Sequence, residues 1–144
     1  MKKTFVIIFC VIMLAALSSC KPGESPGTVE AQVSGWTTTS TGVEKLNILV
    51  YEAGVLPIFP LALGEASITA GSATATPLDL WGGLGIWNGE IGTSYDVYIY
   101  IDVDGDDTLN ETGVDYYATA NPFTVIITEE DQTIPLGDAD FTIE

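Results

Sequence analysis

The sequence predicts an all-β fold, a sandwich or barrel of about seven short strands. Three observations carry this reading. Apolar and polar residues alternate with period two in several segments after Val29, and none of that stretch shows the 3.6-residue period of an amphipathic helix. The 15 Gly and 7 Pro of the 144 residues punctuate those segments, so the elements are brief and joined by turns. Residues 29–144 are enough for one buried core, with no internal repeat and no second domain.

Taken in order, Val29, Ala31 and Val33 alternate with Glu30 and Gln32 and stop at Ser34-Gly35. Leu46, Ile48 and Val50 share one face of a second strand, which Glu52-Ala53-Gly54 ends. Val55 to Leu63 is apolar but carries Pro57 and Pro60, so it reads as a packed loop or an edge. Residues 65–70 and 73–80, rich in Ala and Thr, are weak strand candidates. The clearest strand is 95–103: Tyr95, Val97, Ile99, Ile101 and Val103 face one way, and Asp96, Tyr98, Tyr100 and Asp102 the other. Residues 115–120 make another strand. Phe123, Val125 and Ile127 make one more, with Thr124 and Thr128 outside. Glu129 to Gln132 is a charged turn from which Thr133 to Leu136 returns, and Phe141 and Ile143 form a last apolar pair.

The amino end has a different character. Lys2 and Lys3 precede an apolar run from Phe5 to Leu17. That run is shorter than the ~20 apolar residues of a spanning helix and matches a secretory signal peptide, residues 1–19. Leu17-Ser18-Ser19-Cys20 resembles the lipobox of bacterial lipoproteins. The resemblance implies diacylglycerol on the Cys20 thiol, cleavage before Cys20, and a lipid-anchored chain on a bacterial cell envelope. With Lys21 rather than Asp after Cys20, the expectation is the outer membrane. Cys10 leaves with the signal peptide, so no disulfide and no thiol nucleophile remain. Residues 20–28, with two Pro and two Gly between Lys21 and Gly27, read as a flexible tether to the body at 29–144.

Charge excludes whole classes of function. The chain has 4 Lys, no Arg and no His against 20 Asp and Glu, for a net charge of −16. Losing Lys2 and Lys3 with the signal peptide leaves a balance of −18. Without His there is no Ser-His-Asp triad and no His-ligated zinc. Without Arg there is no bidentate phosphate clamp. Nucleic acid and anionic lipid are both repelled, so the expected membrane contact is the lipid and not an amphipathic surface.

The order of motifs resembles the transthyretin-like, or carboxypeptidase-regulatory-like, β-sandwich domains of bacterial surface proteins. The residues that carry the likeness are Val33-Ser34-Gly35, Leu46 to Tyr51, Gly92 to Ile99 running into Asp102 to Asp106, Phe123-Thr124-Val125 and Gln132 to Leu136. The segment 55–87 departs from it. The resemblance implies Greek-key topology and a non-catalytic role.

One motif carries sharp chemistry. Residues 102–110, DVDGDDTLN, fit the opening of an EF-hand-type calcium loop, whose ligands alternate because a loop curling round an ion turns every second side chain inward. The candidate ligands are Asp102, Asp104, Asp106, the Thr108 carbonyl and Asn110, with Leu109 packing inward. Asp107 stands where Gly usually supplies a positive φ, and Gly113 where a bidentate Glu usually closes the site. Either Glu111 or Asp115 supplies the missing oxygens. Asp115 is preferred because it opens the next strand. The expected ion is structural Ca2+, since Mg2+ keeps several waters.

The remaining constellations are weaker. Trp81 and Trp87 sit in a Gly-rich stretch and are either core or a sugar-stacking platform. Lys45, beside Glu44, reads as a solvated strand start. The expected function is a non-enzymatic, calcium-stabilised structural or adhesive module with a glycan or an envelope protein as partner. The alternative is a carbohydrate-binding module using Trp81 and Trp87.

Overall fold

A computed structural model describes residues 26–39, 41–55, 59–83, 85–108 and 111–143. The signal peptide 1–19, Cys20, residues 21–25 of the tether, and Leu109 and Asn110 of the acidic loop lie outside the described residues. The described residues form ten strands and one 3₁₀ turn, Asp138–Asp140.

The strands lie in two sheets. In the smaller, β1 (Val29–Val33) is central, with β4 (Ala73–Ala75) antiparallel on one side and β9 (Gln132–Leu136) parallel on the other. The larger runs β10 (Phe141–Ile143), β7 (Tyr116–Ala118), β6 (Ser94–Asp102), β2 (Lys45–Glu52), β3 (Ala62–Ser67), β5 (Leu78–Asp79), and β8 (Phe123–Ile126) also pairs with β6. Its antiparallel run β6-β2-β3-β5 brings the last strand in sequence back beside the first, which is the Greek-key order.

Period-two alternation places the core. Val29, Ala31 and Val33 are fully buried in one cluster with Leu46, Ile48 and Val50 of β2 and Val97, Ile99 and Ile101 of β6. Each of the Val, Leu and Ile side chains contributes about 1.5–3 kcal/mol by leaving water. Edge-to-face aromatic pairs close the two ends. Trp36 meets Tyr116 at 5.3 Å and Phe141 at 5.5 Å, and Trp87 meets Tyr95 at 4.9 Å.

The registers fix what lies at each end. β1, β6 and β9 begin, and β2 and β8 end, at the end where the chain enters the domain, here the near end. β6 ends and β2 begins at the far end, where Lys45 stands opposite Asp102.

Four departures from the sequence reading have physical causes. The segment 73–80 splits, its first part joining β1 and its second joining β3, because Gly64 lets the intervening Thr76-Pro77 backbone cross β3. A Cβ at Gly64 would stand 2.3 Å from the Thr76 carbonyl oxygen. β3 starts at Ala62, inside the segment read as loop. β9 does not return along β8 but crosses to the other sheet and lies parallel to β1. Finally, β7 and β8 flank the same edge of β6 with registers three residues out of step. Asn121 fills the gap: its Oδ1 accepts from the Ile99 N–H at 2.9 Å and its Nδ2 donates to the Ile99 carbonyl at 2.8 Å.

Candidate metal centre

Alternation along β6 would turn Asp102 outward, yet it is 1% exposed. The chain folds back over it at Gly105 (φ 73°) and Asp107 (φ 66°). Their N–H groups donate to the two oxygens of Asp102, at 2.6 Å from Gly105 and 3.1 Å from Asp107. Gly105 is required twice over, by its left-handed φ and because a Cβ there would come 2.9 Å from the Val43 carbonyl oxygen. Asp107 holds the positive φ expected at that loop position, which Asp tolerates better than most residues.

Asp104 and Asp106 are exposed, and each accepts from the N–H two residues on, that of Asp106 at 3.3 Å and that of Thr108 at 2.7 Å. These bonds bend the loop so that Asp102, Asp104 and Asp106 each bring a carboxylate oxygen within 4.8 Å of the other two. Oxygens bound to one calcium at 2.3–2.6 Å lie at most about 5.2 Å apart. The set is all oxygen and anionic, as a hard cation requires, so the three fit a single coordination sphere.

Asp115 is 2% exposed and clasps the two limbs of the loop, accepting from the N–H of Val103 at 3.3 Å and of Glu111 at 2.9 Å. The three-carboxylate group does not include it. Glu111 and Thr108 are exposed, and Asn110 lies outside the described residues.

The spacing of the motif gave no sign of Lys45. Its ammonium group pairs with Asp107, 62 residues away in sequence, so the solvated reading of Lys45 is corrected. The hydrogen bond to Asp107 raises its pKa, against the lowering effect of desolvation, and the charges of Glu65, Asp107 and Asp102 add to the rise. Lys45 is the only Lys or Arg among the described residues, and it stands beside the acidic loop.

The two tryptophans part company. Trp81 is 72% exposed, its indole N–H donating to the Pro60 carbonyl at 3.2 Å. Trp87 is buried against Tyr95, so it presents no face for stacking, and the paired platform does not form.

No protein-family model, curated protein or solved structure matches the chain.

Proposed function

We propose that this chain is a non-enzymatic, lipid-anchored protein of the bacterial cell envelope, a β-sandwich whose acidic loop holds a structural calcium ion and which serves as a structural or adhesive module. The observation that carries the calcium reading is the convergence of Asp102, Asp104 and Asp106 within 4.8 Å at the end of the central strand β6. Charges that close repel by about 1 kcal/mol per pair in water and about 3 kcal/mol at an effective dielectric of 20. Asp102 is buried, which favours the larger figure.

A bound calcium would supply compensating positive charge. The chain's own residues hold the loop ready: Asp115 clasps its limbs and Lys45 offsets Asp107. The anchor reading rests on the lipobox-like Leu17-Ser18-Ser19-Cys20. Two or more acyl chains hold a protein firmly where one holds only marginally.

Two measurements test the proposal. A ligand that binds only the folded state at 100 times its dissociation constant adds ~2.7 kcal/mol. With a dissociation constant of ~10⁻⁴–10⁻³ M, calcium at about 10 mM stands ten to a hundred times above it, adds about 1.4–2.7 kcal/mol and should raise the melting temperature by roughly 3–15 °C over chelator. An unchanged melting temperature refutes the calcium reading. For the anchor, Cys20→Ala should move the protein out of the detergent phase, and unchanged partitioning refutes it.

A further inference from the structure

The exposed apolar side chains are not spread evenly. Ten large hydrophobic residues stand exposed among the described residues, and only Val43 and Ile143 lie at the far end. Two more, Leu78 and Ile86, bridge each other along the β5 edge at mid-strand height, where Leu78 pairs with Leu63 opposite Leu49. The other six stand at the near end. Val55 and Phe59 come from the β2–β3 connection, and Leu80 and Trp81 from the turn after β5. Ile91 and Ile126 complete the rim beside the start of β6. Phe59 and Trp81 are each 72% exposed, and backbone hydrogen bonds from Asp79 to Gly85 and from Leu80 to Leu61 hold their loops in place. The Trp81 indole N–H donates to the Pro60 carbonyl, which holds its ring against the connection that carries Phe59, and clustered apolar surface on so acidic a chain marks an interaction site.

The path of the chain says what covers it. The chain enters the sandwich at this same end, where the Gly27 N–H donates to Thr128 and the Thr28 N–H to Asp131. Thr28 is the eighth residue after Cys20, a span of at most about 29 Å even fully extended. A lipid on Cys20 therefore tethers the domain to the bilayer by this end, with the acidic loop at the opposite one. Trp is the side chain that favours the membrane–water interface. Charge selects among lipids: Glu129, Glu130 and Asp131 beside the entry point repel anionic headgroups and accept zwitterionic ones.

We infer that the near end of the sandwich docks on a zwitterionic lipid surface through Phe59, Leu80 and Trp81, holding the acidic loop away from the membrane. The inference rests on the lipid-anchor reading and adds a second, protein-borne contact to it. The loop of Asp102, Asp104 and Asp106 then faces the aqueous side, open to calcium.

The test uses the full acylated chain in phosphatidylcholine vesicles containing phosphatidylcholine brominated high on the acyl chain. Trp36 and Trp87 are buried, so quenching reports on Trp81. Docking predicts a blue shift and bromolipid quenching of vesicle-bound protein, both lost in Trp81→Phe. It also predicts weaker quenching in Phe59→Ser/Leu80→Ser with unchanged flotation. Protein that floats but is not quenched overturns docking and leaves the anchor standing. Protein that does not float overturns the anchor reading, and docking with it. A blue shift that depends on protein concentration in detergent, without vesicles, assigns the apolar end to a second copy and overturns docking.

Discussion

Asn121→Ala should destabilise the sandwich through β6, with no change in any side chain of the acidic loop. Asn121 stands where a backbone partner of Ile99 would stand if the β8 register continued, and its amide replaces that partner's N–H and C=O. Ile99 is fully buried in the middle of β6. Truncation to Ala leaves one donor and one acceptor unpaired. Each orphaned buried group costs about 1–3 kcal/mol. Asn121 itself is half-buried, so water reaches part of the gap, and the lower half of that range applies, about 2–4 kcal/mol in total. For a domain of this size that is roughly 8–15 °C in melting temperature. The assay is calorimetric melting in chelator, which separates the effect from any ion. Asn121→Asp sharpens it. A carboxylate accepts from the Ile99 N–H but cannot donate to its carbonyl, so this variant should recover stability relative to Asn121→Ala as the pH falls and the acid protonates. A loss below about 2 °C in Asn121→Ala would show that the break between β7 and β8 is not held by this side chain.

Two further predictions concern the far end and the aromatic pair. Burial pushes the Glu44 carboxyl up, but N–H groups of Glu44 itself, Thr41 and Gly42 and the Thr39 hydroxyl outweigh it and hold the pKa below the ordinary 4.5. Its contribution is thus complete above pH 4.5 and lost as the pH falls through the lower folded value. Glu44→Gln should flatten the acid limb of the stability profile, and an unaltered limb in melts from pH 7 to pH 3 would contradict this. Trp87→Ala should cost about 3–5 kcal/mol by opening the near-end core, whereas Trp81→Ala should cost under about 1 kcal/mol. Equal losses in denaturant titration would refute the assigned burial.

The strands most legible in the sequence were those whose pattern the core enforces. β1, and β6 as far as Ile101, keep strict parity because one face of each meets the opposite sheet, and β2 departs from it only at the buried Asn47. Parity failed at Asp102 because what covers a strand end is decided by the returning loop, not by the strand. The parallel pairing of β9 with β1 joins segments about a hundred residues apart, and no local signal marks it. The alternation of Asp102, Asp104 and Asp106 was readable because a curling loop imposes it. Asp115 as a clasp and Lys45 as the counter-charge were not, since both roles arise only when β2 and β7 are laid against β6. Trp81 and Trp87 share one Gly-rich stretch with no period, so nothing in their spacing separated the exposed ring from the buried one.

Calorimetric titration of calcium into the chelator-treated protein tests the central claim most directly. The account predicts one site, with a dissociation constant of ~10⁻⁴–10⁻³ M, the range of extracellular calcium modules, and its loss in Asp104→Ala. Asp104 is exposed, so that variant should still fold. The absence of any binding heat up to several times that concentration, or an Asp104→Ala isotherm that overlays the parent's, would contradict it.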